Sequence, residues 1–239
     1  MRSAILIFVV FLLLQGCKQS PETLFVLKSP NDTGVLFNNE IVETDTFNIL
    51  TDEYIFNGGG VAVADFNNDG LPDLYFTGNQ VGNKLYLNKG NLKFEDITNG
   101  SGTAAAERWS TGVTIVDING DGWMDVYVCA AMFPDQERRA NMLFVNQGLD
   151  EDGNPYFEEQ AAQYGIAEVG NSMMATFFDY NNDGFLDLYV LNNEQSKSIP
   201  SNFREKITDG SAINNDRFQV IVCSLAATRK QQRSVWHFS

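Results

Sequence analysis

Residues 65–73 read DFNNDGLPD, and the pattern returns as DINGDGWMD at residues 117–125 and as DYNNDGFLD at residues 179–187. All three copies have Asp at positions 1, 5 and 9, Asn at position 3 and Gly at position 6. Short runs rich in β-branched and aromatic residues flank each copy, such as 61–64 before the first and 74–76 after it. Because these runs have the length and composition of strands, we expect each copy to form a loop between two strands.

The spacing of the acidic residues suits a calcium ion, which prefers a shell of oxygen ligands. Side-chain oxygens at positions 1, 3 and 5 can converge on one ion, and the glycine at position 6 allows the backbone to turn tightly around it. Position 7 has no liganding side chain and would offer its carbonyl, and the Asp at position 9 completes the set. The sequence therefore predicts about three Ca²⁺ sites, whose candidate ligands are Asp65, Asn67, Asp69, Leu71 and Asp73 in the first loop, Asp117, Asn119, Asp121, Trp123 and Asp125 in the second, and Asp179, Asn181, Asp183, Phe185 and Asp187 in the third.

Two other interpretations of these loops are weaker. An EF-hand needs a Glu at position 12 and flanking helices, whereas position 12 here is Phe76, Val128 or Val190, each in an expected strand. Ordinary hairpin turns rich in Asp, Asn and Gly would account for one copy. Three copies in the same register favour calcium binding. The acidic run at 150–154 lacks the later ligands and is predicted to be an ordinary turn.

A second repeated element follows the first two loops. NKLYLNKG at residues 83–90 matches NMLFVNQG at 141–148, and KFEDI at 93–97 matches YFEEQ at 156–160. Each repeat therefore supplies about four strands, and four-stranded units at this period are typical of propeller blades.

These motifs together resemble the FG-GAP/VCBS-repeat family, whose blades also build the propellers of integrin α-subunits. The resemblance covers roughly residues 57–216, although the Phe-Gly signature is degenerate, as in FNGGG at 56–60. It implies an all-β fold, a partial β-propeller with about three blades of a seven-bladed architecture and calcium-binding hairpin loops. The combination with the N-terminal sequence described next resembles bacterial lipoproteins related to proteins with an ASPIC/UnbV domain.

The N-terminus has the pattern of an export signal. Arg2 precedes an apolar run from Ala4 to Leu14, which is too short to span a bilayer comfortably, and the sequence LQGC ends at Cys17. This resembles a lipoprotein signal, so we expect residues 1–16 to be removed and Cys17 to be lipidated. Residues 17–56 are then predicted to be an anchor tether and lead-in, and the protein is expected at the bacterial outer membrane or cell surface, with its lipid anchor as the membrane contact.

The C-terminal part departs from the repeat pattern. We expect residues 57–218 to form the repeats and residues 219–239 to be a non-matching basic tail, since the chain from Arg217 onward has four basic residues and no acidic one. This change predicts a truncated or frame-shifted product of a longer gene. Such an incomplete propeller would expose apolar faces and strand edges.

Composition restricts the function. A formal charge of −15 argues against nucleic-acid binding, and the single histidine, His237, leaves little for a catalytic triad or a histidine-rich metal site. We therefore expect a non-catalytic binding scaffold for a protein or glycan. The alternative is a propeller-based hydrolase or lyase acting on polysaccharide; Arg108, Trp109, Arg138 and Arg139 would then line a carbohydrate groove, although solvated loops explain them more simply.

Overall fold

A computed structural model describes residues 23–193 in full and, by backbone only, the strands at 218–224 and 233–236. It contains three four-stranded antiparallel sheets in the described residues, each with strands in meander order. The predicted all-β class is confirmed, and the arrangement is consistent with a partial β-propeller. The signal segment and Cys17 lie outside the described residues.

The strands follow the repeat pattern. The first sheet contains β1 (Val61–Ala64), β2 (Asp73–Phe76), β3 (Lys84–Asn88) and β4 (Phe94–Asp96), and the second contains β5 (Ser110–Val116), β6 (Asp125–Ala130), β7 (Met142–Leu149) and β8 (Pro155–Glu159). The third contains β9 (Ser172–Phe178), β10 (Asp187–Asn193), β11 (Phe218–Ser224) and β12 (Arg233–Trp236). In every sheet the first two strands enclose one Asp-rich loop, as the sequence predicts.

The third sheet includes part of the segment that was expected to be a non-matching tail. β11 pairs antiparallel with β10 from Asn193 opposite Phe218 to Asp187 opposite Ser224, and β12 pairs with β11. The run FQVIVC at 218–223 is rich in β-branched and aromatic residues and so suits a strand, even though it lacks the Asn of the other third strands. The domain boundaries themselves stay predictions.

Four short helical turns lie in the described residues, and the second and fourth of them join consecutive sheets. They are α1 (Pro30–Thr33), α2 (Thr98–Ser101), α3 (Gln136–Arg139) and α4 (Ala161–Tyr164). Three of them, α1, α2 and α4, are followed by a glycine with positive φ, at Gly34, Gly102 and Gly165. Among the described residues, no helix is long and apolar enough to cross a membrane.

The core consists of two layers between consecutive sheets. In the first layer Ala62, Tyr75 and Leu85 of the first sheet pack with Val126 and Phe144 of the second. In the second layer Tyr127, Leu143 and Val145 of the second sheet pack with Ala175 and Leu188 of the third. Because strand side chains alternate between the two faces, the second sheet contributes different residues to each layer.

The lead-in is part of this packing. Phe37 stacks on Phe76 of β2 with ring centroids 5.0 Å apart, and Ile55 is fully buried with Trp109 and Ala131. The predicted tether and lead-in therefore includes residues that cover one face of the first sheet and part of the second.

Candidate metal loops

Each Asp-rich loop is folded by the same side-chain hydrogen bonds to its own backbone. In the first loop, Asp65 accepts from the backbone N–H of Asp69 at 3.1 Å and of Gly70 at 2.7 Å. The corresponding carboxylates Asp117 and Asp179 accept from the same two loop positions. This network shapes the loop, because the position-1 carboxylate satisfies amides that no strand partner reaches.

Two backbone positions in each loop have left-handed conformations. Position 4 has φ of 57° at Asn68, 72° at Gly120 and 59° at Asn182. Position 6 is a glycine with φ between 85° and 87° in every copy. Asn and Gly adopt this region at least cost, which explains why only these residues occupy position 4 and why position 6 is always Gly.

The amide at position 3 and the carboxylate at position 5 lie together. Asn67 donates to Asp69 Oδ2 at 3.0 Å, Asn119 to Asp121 at 2.7 Å and Asn181 to Asp183 at 2.9 Å. The other oxygen of each position-5 carboxylate accepts from the backbone N–H at position 7, for example Leu71 at 2.8 Å. The structure thus brings together the predicted side chains at positions 1, 3 and 5.

The position-9 carboxylates are buried at the start of the second strand. Asp73 and Asp125 are fully buried, and Asp187 is almost so. In each loop this carboxylate accepts from the N–H at position 2, at 2.9 Å from Phe66, 2.8 Å from Ile118 and 2.9 Å from Tyr180. This side chain therefore links the two ends of the loop, where the first strand ends and the second strand begins.

Burial shifts the ionisation of two of these groups. Burial raises the pKa of Asp73 to about 6, opposed by the N–H groups of Asn88 and Phe66 and reinforced by the nearby charges of Asp69 and Asp65. The pKa of Asp125 is raised to about 6 for the same reasons, with Asp121 and Asp117 as the neighbouring charges. Each carboxylate is therefore ionised at a cost that a bound cation would offset.

Sequence reasoning missed a set of asparagines that holds the position-9 carboxylates. Asn88 and Asn146 donate their N–H to Asp73 and Asp125, each at 2.8 Å. Their side-chain amides also bind carbonyls of the loops. Asn88 donates to the Pro72 carbonyl in the first loop, and Asn146 donates to that of Met124 in the second loop and that of Phe66 in the first. The repeated Asn-x-Gly at residues 88–90 and 146–148 was the available signal.

The donor chemistry of the loops fits a hard cation, since every candidate donor is an oxygen atom. Within residues 23–193, however, no group of three or more acidic, histidine or cysteine side chains is gathered so as to hold a metal ion by itself. An ion would need the amide oxygen at position 3 and main-chain carbonyls as well as the carboxylates. The side chains of Leu71, Trp123 and Phe185 carry no oxygen atom, so position 7 could contribute only its main-chain carbonyl.

The residues considered for a carbohydrate groove are engaged in the fold. Trp109 is 3% exposed, and the guanidinium of Arg138 lies 3.5 Å from the centroid of the Phe133 ring while its Nε donates to the Glu107 carbonyl. Arg108 donates to the Glu137 carbonyl, and Arg139 to those of Phe133, Pro134 and Val169. Of these four residues only Trp109 lines a cavity of about 270 Å³, which is also bounded by Phe47, Asp52 and Phe133.

Comparison with known proteins agrees with this geometry. Residues 65–128 match the family model of the FG-GAP-like repeat. The match begins at the first residue of the first loop and extends through the second loop into β6.

Similarity to curated proteins extends over a longer stretch. The chain is 31% identical over 157 residues to cartilage acidic protein 1 of Mus musculus, an alignment that covers 62% of this chain and 23% of the relative. It is 28% identical over 169 residues to the Homo sapiens protein of that name, covering 69% of this chain and 24% of the relative. The chain thus spans about a quarter of the length of these curated relatives.

Proposed function

We propose that this protein is a calcium-stabilised, non-catalytic binding scaffold, exported and held on the bacterial surface by a lipid on Cys17, with a protein or glycan as its partner. The observation that carries the proposal is the threefold recurrence of one loop network. In every copy a position-1 carboxylate organises the turn, and two further carboxylates lie within the same nine residues. The FG-GAP-like repeat and the propeller-like sheets support the scaffold role.

The role of calcium follows from electrostatics and from the position of the loops. Each loop joins the first and second strands of its sheet, so an ion held there would fix the start of the second strand. It would also offset the burial and the neighbouring negative charges that raise the pKa of Asp73 and Asp125. A ligand that binds only the folded chain stabilises it by mass action.

The experiment is differential scanning calorimetry of the full chain in calcium, after chelation with EDTA, and after calcium is restored. We expect the unfolding midpoint to fall on chelation and to recover with Ca²⁺. Asp121→Asn should reduce this difference, because it alters one of the three loops. Asp152→Asn is the matched control, since it lies in the acidic turn at 150–154, which lacks the ligand set. An identical midpoint with and without EDTA would refute structural calcium.

Anchoring and partner binding need separate measurements. Mass spectrometry of the protein from a bacterial host should find diacylated Cys17 as the first residue, and Cys17→Ser should abolish acylation and release the protein from membranes. Binding of the full chain to immobilised glycans and to isolated surface proteins, with and without EDTA, tests the scaffold role. Binding that is specific and weakened by EDTA supports it, whereas turnover of a polysaccharide would overturn the non-catalytic assignment.

A further inference from the structure

The two interfaces between sheets use the same positions of the repeat. Aligned on the loops, the first strands are 61–64, 113–116 and 175–178. We call the face of a sheet that points to the next sheet along the chain its forward face, and the opposite face its rear face. Ala62 and Ala64 lie on the forward face of the first sheet, and Val113 and Ile115 on the rear face of the second, in one apolar layer.

The second interface repeats this arrangement one sheet further along. Thr114 and Val116 lie on the forward face of the second sheet, where Thr114 Oγ1 donates to the Ala175 carbonyl at 2.6 Å. Ala175 and Phe177 lie on the rear face of the third sheet, and Phe177 packs edge-on against Tyr127 with centroids 5.5 Å apart. A forward face of this repeat is therefore complementary to a rear face.

In the part of the chain that the structure describes, two such faces carry exposed apolar side chains. On the rear face of the first sheet, where Phe37 of the lead-in already covers Phe76, Val61 and Val63 are still 58% and 59% exposed, although they occupy the positions of Val113 and Ile115. On the forward face of the third sheet, Met174, Phe178 and Tyr180 are 60%, 41% and 68% exposed. Tyr180 stands at the loop position of Phe66, which is fully buried against the second sheet. Contiguous apolar surface of this kind marks interaction sites.

The polar groups at these two faces also match. Tyr75 donates its hydroxyl to the Thr103 carbonyl at 2.7 Å, and Tyr127 donates to that of Ile166 at 2.8 Å, so each second-strand tyrosine binds the connection to the next sheet. Tyr189 is the third-sheet equivalent, and within residues 23–193 no hydrogen bond reaches its hydroxyl.

The lead-in supplies the corresponding acceptor. A Cβ on Gly34 would lie 2.4 Å from the Phe94 carbonyl oxygen, and one on Gly102 would lie 2.4 Å from that of Phe157. The segment after Gly34 thus lies on the first sheet in the same way as the segment after Gly102 lies on the second sheet. Val35 therefore occupies the place of Thr103, whose carbonyl accepts from Tyr75.

We propose that the forward face of the third sheet docks on the rear face of the first sheet of a second copy of this chain. The interface reproduces the kind of packing that the chain forms twice internally, with Tyr189 of one copy donating to Val35 of the next. It is heterologous, so copies add head to tail until a ring closes or a filament grows. This proposal goes beyond the scaffold role and does not depend on calcium.

One residue sets the strength of this contact. Gly60 and Gly112 allow the next sheet to approach: a Cβ would meet a Val113 methyl at 2.9 Å in one case and the Met173 carbonyl at 2.5 Å in the other. The third sheet has Met174 at this position, so a second copy cannot approach as closely. Docking therefore leaves the contact around Met174 overpacked, and the two copies bind each other more weakly than neighbouring sheets of one chain do.

Sedimentation of the full chain in mild detergent, over a wide range of concentration, tests the proposal. Wild-type protein should show concentration-dependent oligomers. Val63→Lys on the rear face and Thr176→Lys on the forward face should each lose them, because each buries an unpaired charge. Each variant retains one intact face, so an equal mixture should form a dimer and nothing larger. Leu92→Lys is the matched control; this exposed turn residue lies outside both faces and should associate like wild type.

Met174→Gly should strengthen the association that the lysine variants abolish. It should tighten association by about tenfold, because relieving an overpacked contact restores the close approach seen at Gly60 and Gly112. Circular dichroism of every variant checks that the fold is retained. A wild-type chain that stays monomeric at all concentrations overturns the proposal. So does association that survives Val63→Lys, or a mixture of the two lysine variants that fails to form a dimer.

Discussion

The second and third sheets begin with the same strand–loop–strand pattern, yet the described residues cover only the second on both faces. Tyr127 is fully buried with its hydroxyl bonded on both sides, whereas the equivalent Tyr189 is half-buried. Gly112 contacts the backbone of the third sheet, whereas its equivalent Met174 projects outward. The repeat motif thus specifies the loop, whereas the burial of the strands beside the loop depends on a neighbouring sheet.

The largest expected effect is at the glycine of the covered face. Gly112→Ala places a Cβ where the Met173 carbonyl oxygen is 2.5 Å away, so the second and third sheets must separate. We expect a loss of about 3 kcal/mol in the free energy of unfolding, measured by chemical denaturation. Met174→Ala at the equivalent position is the control and should change it by less than about 1 kcal/mol. Equal losses at the two positions would contradict the difference between the sheets.

A second expected effect concerns the tyrosine hydroxyl. Tyr127 donates to the Ile166 carbonyl at 2.8 Å and accepts from Asn141 at 3.0 Å, both in the interior. Tyr127→Phe leaves these buried groups without their partner and should cost about 2 kcal/mol. Tyr189→Phe is the matched substitution in the third sheet, and we expect little change in the same denaturation experiment. If Tyr189→Phe proves as costly as Tyr127→Phe, the third sheet is covered as completely as the second.

The sequence predicted the loops and the strands beside them because both depend on local chemistry. Asp, Asn and Gly at fixed positions define the turn, and the runs at 61–64, 113–116 and 175–178 all lie in first strands of their sheets. The same locality explains why the side chains at positions 1, 3 and 5 lie within one turn, whereas their role as calcium ligands stays a prediction.

Other features depend on contacts between distant segments and were not accessible from local pattern. The role of Asn88 and Asn146 is visible only when the third strand lies beside the start of the second. The arginines at 108, 138 and 139 were ambiguous because their acceptors are main-chain carbonyls, which have no signature in sequence. The C-terminal strands lack the repeat motif, but strand pairing requires only an extended backbone and residues that favour it, such as the β-branched ones at 220–222.

The smallest expected effect tests whether the lead-in stabilises the rear face of the first sheet. Phe37 is half-buried and stacks on Phe76, which in turn lies edge-on to Tyr86 with centroids 5.9 Å apart. Phe37→Ala removes an aromatic contact and should cost about 1 kcal/mol, whereas Leu36→Ala should cost almost nothing because Leu36 is 67% exposed. Thermal unfolding followed by circular dichroism measures both. If Phe37→Ala leaves the midpoint unchanged, the lead-in contacts the sheet without stabilising it. A clear fall in the midpoint means that the lead-in partly replaces sheet-on-sheet packing. Val113 and Ile115 have such packing, whereas Val61 and Val63 lack it.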